Sequence, residues 1–281
     1  MNSTGLDPLA VVDDWPATAA VGVVGPDGAI ASHGPTEEVF KLASVTKLLT
    51  TTALLVAVEE GTVALDDRAG PPGSTLRHLL AHASGLGRDG ERVVAPTGAK
   101  RIYSNRGIEV AAATLEAASG VAFATYLREA VLDPLGMTAT RVEGSPASAG
   151  TAPLVDLMAL ARELLAPQVL APETLEAATA VTFPNLDGVL PGFGHHSPND
   201  WGVGFEIRDH KSPHWTGSTN APATFGHFGL AGSFVWVDPV ARLAGVGLSD
   251  TDFGPWAVEA WPPLADAVLA HYGTAPQTLR R

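Results

Sequence analysis

Cysteine is absent from the 281-residue chain, so its stability owes nothing to disulfides. None is needed, because a compact chain of this length buries roughly 75% of the surface that its unfolded form exposes. Positive charge is scarce: 17 basic residues stand against 30 acidic ones, for a net charge of −13. No cluster of Lys and Arg could neutralise a run of phosphates, which excludes nucleic acid as a partner. Long apolar runs are also missing. The longest, between Lys47 and Glu59, holds 11 residues and several threonines, against about 20 for a helix that crosses a bilayer. No Lys or Arg precedes Lys41, unlike the positive n-region of a secretory signal. The expectation is a soluble, cytoplasmic chain with no membrane partner.

Several chemical signatures are missing too. There is no G-x-S-x-G elbow, no Walker loop and no H-E-x-x-H. Asp252-Phe253-Gly254 spells the kinase triplet without the loops that give it meaning, and reads as chance. His78 and His82 stand four apart, as ligands on one helix face would, but no acidic or cysteine partner completes a set. His82 reads instead as an imidazole favoured at a helix C-terminus that Ser84-Gly85 closes. His195-His196 reads as part of a surface loop.

What is present is a globular composition, 46% hydrophobic and 17% charged. Residues 18–24, Pro26-Asp27-Gly28 and the run through Ile30 predict a β-hairpin. Val45 to Glu60 predicts a helix, apolar nearly all round and therefore central and buried. From Leu65 to about Pro198 short helices are expected, at Thr75–His82, Arg106–Ser119, Ala122–Leu132, Leu154–Leu165 and Pro172–Ala180. Strand patterns return at Gly202–Arg208, Thr224–Phe228, Ser233–Val237 and Leu243–Leu248, before a closing helix near Pro255–His271. The fold class expected is α+β: an antiparallel sheet flanked by helices and built from both termini, residues 1–65 with 200–281. A mostly helical lobe, residues 66–199, is inserted between them, with a site in the cleft.

Ser44-Val45-Thr46-Lys47 opens the buried helix. Three residues apart on a helix, the Ser44 and Lys47 side chains share one face. A lysine whose pKa burial has lowered can take the serine proton, and the helix N-terminus can hold an oxyanion. Ser44 could equally be an N-cap followed by a solvated Lys47, but an idle charge on so apolar a helix would be costly. With only four lysines in the chain, chance placement yields about 0.2 such pairs. Tyr103-Ser104-Asn105 precedes the helix near Arg106. In an extended segment Tyr103 and Asn105 face one way while Ser104 turns away, although a simple cap would use the same residues. Gly226-His227-Phe228-Gly229-Leu230 lies on a strand, where glycine admits close backbone approach and a basic side chain steadies negative charge.

S-x-x-K, Y-x-N and a basic residue-x-G, in that order, resemble the serine β-lactamase and penicillin-binding-protein family. The branch they resemble holds AmpC-type β-lactamases, D-alanyl-D-alanine carboxypeptidases, D-aminopeptidases and esterases. Phe40–Lys47, Leu65-Asp66-Asp67, Thr75–Leu86, Pro134-Leu135-Gly136-Met137 and Trp201–Phe205 are similar as well, so the resemblance runs from about residue 18 to 272. It implies that Ser44 is the acylated nucleophile, Lys47 its proton partner and Tyr103 the general base or relay. Asn105 would contact a substrate amide, and His227 and Gly229 would line the pocket. The N–H groups of Ser44 and Leu230 would hold the oxyanion. No metal or organic cofactor is implied.

One departure bears on substrate. β-Lactamases carry Lys-Thr-Gly or Lys-Ser-Gly at the third motif, where this chain has His227 and Phe228. The resemblance therefore implies hydrolysis of a small ester or amide, with weak turnover of β-lactams. The alternatives are a ligand-binding or sensor protein that has lost turnover, and an acyltransferase.

Overall fold

A computed structural model describes residues 7–273. A 3-10 helix at Pro8–Asp14 leads into the hairpin of β1 (Ala19–Gly25) and β2 (Gly28–His33). A short β3 (Phe40–Lys41) and one 3-10 turn (Ala43–Val45) precede α1 (Thr46–Glu59). Then come α2 (Leu76–Leu80), α3 (Asn105–Ser119) and α4 (Phe123–Leu127), the last continuing as a wider π turn over Arg128–Leu132. β5 (Gly150–Ala152) pairs with both β3 and β4 (Arg141–Val142) in a small sheet of order β3-β5-β4. They are followed by α5 (Leu154–Leu165), α6 (Pro172–Thr179) and the hairpin of β6 (Gly188–Leu190) and β7 (Gly194–His196). β8 (Glu206–Ile207), β9 (Phe225–Gly229), β10 (Ser233–Asp238), β11 (Leu243–Ser249) and α7 (Pro255–Tyr272) complete the fold.

The main sheet is antiparallel and six-stranded, in the order β2-β1-β11-β10-β9-β8. This is the α+β architecture expected. Period-two alternation divides its side chains between two cores. Ala20, Val24, Val235, Val237, Val246 and Leu248 face α1 and α5, while Val21, Val23, Phe228, Phe234 and Trp236 face α7. Both faces are covered, so β1, β10 and β11 are buried throughout and show no polar alternation. Glycines set the spacing. At Gly22 a Cβ would meet Met158 Sδ of α5 at 2.5 Å, and at Gly245 it would meet the Trp236 ring at 2.3 Å.

α1 buries twelve residues, Thr46 through Ala57, as its apolar circumference requires. Two of its threonines donate to carbonyls, Thr52 to Leu48 and Thr50 to Pro146. Among the described residues no single helix is long and apolar enough to cross a membrane.

Three expectations change. The strand at Gly202–Arg208 shrinks to β8, because the chain at Gly204 (φ +81°) is pressed onto α1, with Thr51 Oγ1 2.1 Å from where a Cβ would lie. His195-His196 is not loop but strand β7, with His196 buried. The helix at Thr75–His82 stops at Leu80, and His82 follows it with a left-handed φ of 55°.

Replacing Gly245 by Ala should force Trp236 out of place and destabilise the chain by about 1–3 kcal/mol. Thermal unfolding should show a fall in Tm of several degrees, roughly 2–4 °C per kcal/mol for a chain of this size. An unchanged Tm would mean that the indole has room to move.

Candidate active site

Ser44 sits in the 3-10 turn that starts α1, and Lys47 is one helical turn on. Lys47 Nζ lies 3.0 Å from Ser44 Oγ, 2.7 Å from Asn105 Oδ1 and 2.8 Å from the Ala147 carbonyl, three acceptors for the three hydrogens of an ammonium. The side chain is 1% exposed and has no carboxylate within ion-pair distance among the described residues. Burial, helped by the nearby Arg88 guanidinium, lowers the Lys47 pKa to about 7, against the opposing pull of Asp89 and Glu109. Near neutral pH a large share of the population therefore carries a free amine beside the hydroxyl.

Tyr103, 59 residues further along the chain, reaches the same oxygen, its O–H donating to Ser44 Oγ at 2.7 Å. Burial pushes its pKa up, so it stays a phenol, and Lys47 Nζ lies 4.8 Å from its ring centroid. Local structure explains the placement. Ser104 is the extended N-cap of α3 (φ −135°, ψ 117°): its Oγ accepts from Gly107 N at 2.9 Å and donates to Gly87 O at 2.7 Å. The cap thus turns Tyr103 and Asn105 toward Lys47, so the two readings of this triplet hold together. Asn105 departs from expectation: its Oδ1 is taken by Lys47 and its Nδ2 donates to Asp89 Oδ1 at 2.9 Å, so in this structure it positions the lysine.

His227 alternates on β9 toward α1, while Phe228 points to the other core. Its Nδ1 lies 2.7 Å from the Phe228 carbonyl, which requires the proton on Nδ1 and leaves Nε2 as an acceptor 3.5 Å from the Tyr103 hydroxyl. Burial, reinforced by Lys47, lowers its pKa to about 3. The basic residue expected at the third motif is thus a neutral imidazole. Gly229 has a steric role: a Cβ there would meet the Leu42 carbonyl at 2.3 Å and Ser44 N at 3.0 Å, so glycine lets the end of β9 abut the nucleophile turn. Ser233 Oγ ties β10 to the same carbonyl at 2.7 Å. Leu230 follows, 46% exposed at the pocket rim, with its carbonyl accepting from Phe253 N.

Ser44, Tyr103 and His227 line a pocket of ≈ 430 Å³ whose walls include Trp201, Leu190, Phe228 and Leu230. Sequence reasoning missed several residues here. Arg88, Glu206 and the Leu190-Pro191 turn stand in the wall with no motif to mark them, and Trp201 appeared only within a family-like stretch. The Glu206 carboxylate is buried against Lys211, His214 Nε2 (3.0 Å) and Trp215 Nε1 (3.0 Å). Burial would raise its pKa, but Lys211 and His214 outweigh that and hold it well below the usual carboxylate range. Through β8 this anchored group backs β9 opposite Gly226.

The His78 and His82 pair does not converge. His78 Nδ1 meets Thr75 Oγ1 at 2.9 Å, whereas His82 is buried against Tyr103 and Trp201, its Nδ1 accepting from Ser104 N at 3.2 Å. The expectation of a helix-end imidazole fails for His82, since burial holds it well below its ordinary pKa and so uncharged.

Comparison with known proteins gives a consistent family pattern. The sequence profile described as Beta-lactamase matches residues 11–270. Penicillin-binding protein 4* of Bacillus subtilis is 29% identical over 140 residues, 38% of this chain and 31% of that protein. The D-alanyl-D-alanine-carboxypeptidase/endopeptidase AmpH of Escherichia coli is 28% identical over 147 residues, 39% of this chain and 38% of its own length. The matched segments thus span about a third of these curated relatives. The crystal structure of a beta-lactamase from Mycobacterium bovis superposes with a TM-score of 0.94 at 52% identity, covering 95% of this chain and 100% of that one. Unliganded simvastatin synthase from Aspergillus terreus superposes with a TM-score of 0.80 over 96% and 100% of the two chains, and at 17% identity shows the fold alone.

A Lys47 amine that titrates near 7 sets the pH dependence of Ser44 reactivity. Labelling by a fluorophosphonate should rise about ten-fold per unit below pH 7 and level off above it, because only the neutral amine accepts the serine proton. Lys47→Arg, permanently charged, should remove the pH step and slow labelling by about 100-fold or more. A wild-type profile flat from pH 5 to 9 would remove Lys47 from the chemistry.

Proposed function

This chain belongs to the beta-lactamase family of serine hydrolases, and from that premise we propose that it cleaves a small ester or amide through an acyl-enzyme on Ser44. The observation that supports this reading most is that Lys47 Nζ and Tyr103 O–H both reach one oxygen, Ser44 Oγ, at 3.0 and 2.7 Å, on the wall of a pocket.

In the proposed cycle the neutral Lys47 amine takes the Ser44 proton as Oγ bonds to the substrate carbonyl carbon. The oxyanion is received by the backbone N–H groups of Ser44 and Leu230, neither of which has an acceptor among the described residues. Tyr103 gives its proton to the leaving oxygen or nitrogen as the carbonyl bond to it breaks, and regains one from Lys47. Water then attacks the acyl carbonyl, passes a proton to the same pair, and Ser44 leaves reprotonated. Tyr103 acts as a relay in this scheme: a phenol whose pKa burial raises is a donor at neutral pH and not a standing base. Asn105 holds Lys47 in place.

Substrate preference follows from the third motif. A neutral His227 supplies no permanent cation and Phe228 no hydroxyl, so the carboxylate of a β-lactam would lack both supports in this part of the site. The walls formed by Leu190, Trp201, Phe228 and Leu230 suit an apolar acyl group instead.

A p-nitrophenyl ester of a short fatty acid should give a burst of nitrophenol and a Ser44 adduct by mass spectrometry. Nitrocefin turnover should be slower by about 100-fold or more in kcat/KM, roughly the effect of removing one or two charged contacts. Equal, negligible hydrolysis by wild type and Ser44→Ala, with no adduct, would instead fit a binding protein. An ester product formed on addition of alcohols would mark acyl transfer.

A further inference from the structure

His82 is a buried titratable residue that takes no part in the proposed cycle. It follows α2 as a single residue in the left-handed region, φ 55°, where glycine and asparagine fit with least strain. From there it holds the chain on both sides of Tyr103. Its carbonyl accepts from Ile102 N at 2.8 Å, and its Nδ1 accepts from Ser104 N at 3.2 Å. The imidazole also packs on the residue between them, 4.7 Å from the Tyr103 ring centroid. Trp201 meets the imidazole nearly edge-on, at 4.6 Å and 84°.

Along this stretch Arg101 N, Ile102 N and Asn105 N are taken by carbonyls, at 2.9, 2.8 and 2.7 Å, whereas Ser104 N depends on a side chain. That dependence fixes the tautomer of His82. A backbone N–H aimed at Nδ1 leaves no place for a proton there, so the neutral ring carries its hydrogen on Nε2. Burial, with Lys47 nearby, holds the ring well below its ordinary pKa and so uncharged. Water cannot stand in for the ring nitrogen, because Ser104 is 1% exposed. Loss of Nδ1 would therefore strand a buried donor in the triplet that presents Tyr103 and Asn105 to the site.

We propose that His82 is the positioning residue for Tyr103: by gripping Ile102 and Ser104 it keeps the phenol 2.7 Å from Ser44 Oγ, where its proton can reach the leaving atom. This deepens the hydrolase reading and rests on it, since Tyr103 is the donor to the leaving atom in that cycle. His82 moves no proton itself. Its Nδ1 is occupied by Ser104 N, and its Nε2 has no hydrogen-bond partner among the described residues. Its effect is one of distance, and a displacement of about 1 Å at a reacting group can cost about 100-fold in rate.

The leaving group distinguishes positioning from mere structural support. p-Nitrophenyl butyrate and phenyl butyrate deliver the same acyl group to Ser44, but p-nitrophenolate departs without a proton, whereas the more basic phenolate is helped by one. His82→Gly accepts the left-handed backbone and removes the acceptor; His82→Asn also accepts that backbone and places Oδ1 where Nδ1 was. In His82→Gly, kcat/KM should fall by about 100-fold for the phenyl ester and by about ten-fold or less for the p-nitrophenyl ester. The ratio of the two is internal to each preparation and so independent of the folded fraction. In His82→Asn it should stay within about three-fold of wild type. In a Tyr103→Phe background His82→Gly should leave the ratio unchanged, because the donor it positions is gone. Equal losses on both esters, a ratio in His82→Asn that follows His82→Gly, or a shift that persists without Tyr103 would overturn the proposal. So would a histidine nitrogen NMR spectrum of wild type with the His82 proton on Nδ1, whatever the turnover. Hydrolysis of neither ester by wild type, with no Ser44 adduct, ends the hydrolase reading and this role with it, whereas equal losses in the variants end the role alone.

Discussion

A lysine amine shut away from water, with no carboxylate among the described residues in ion-pair contact, is the constraint from which the rest of this site follows. Desolvation of Lys47 is what draws its pKa to about 7. That desolvation exists only because α1 is wrapped on every side, by α3, α4 and β9 among others and by the segment that places the Ala147 carbonyl on Nζ. A partner acid would have restored the ordinary pKa and with it an inert ammonium. Its absence leaves three neutral acceptors that orient the nitrogen and tolerate either protonation state.

The other groups around Ser44 obey the same logic. Tyr103 remains a phenol and His227 a neutral imidazole, each because burial penalises its charged form. Tyr103 and His227 thus add no fixed charge beside the nucleophile, and the charged groups Arg88 and Glu206 stand in the pocket wall. Glu206 is locked among Lys211, His214 and Trp215 on the strand beside β9, while Arg88, Lys100 and Arg101 stand in the walls of a second cleft. Such a division suits a site that must move protons among weakly charged groups. The backbone takes part as well. Gly229 permits β9 to lie against the turn of Ser44, and Ala43 enters that turn with a φ of +41°, a strained value for a residue with a side chain.

Much of the fold was legible because its strands and helices obey strong local rules. β1, β9, β10 and β11 are short apolar runs between turn residues, and α1, α3 and α5 carry continuous helical periodicity. What escaped were elements whose cause is remote. The two-residue β3 and β4 exist only as partners of β5, and Gly202–Phe205 has strand-like composition but is bent by its contact with α1. Within the site, the i, i+3 spacing of Ser44 and Lys47 and the i, i+2 spacing of Tyr103 and Asn105 are local geometry, and the structure brings all four together. The neutrality of His227 was not legible, because a histidine between glycines says nothing of its burial.

The order of residues alone established which side chains share a face, where turns must form, and that a hydroxyl and an amine would meet one helical turn apart, since these depend on neighbours within four positions. Tertiary packing alone decided the protonation of Lys47, Tyr103 and His227, the turning of Asn105 toward the lysine, and the gathering of Arg88, Lys100, Arg101 and His195 at one cleft. The reason is that desolvation and electrostatic potential are sums over atoms distant in the chain and close in space, which no local pattern encodes.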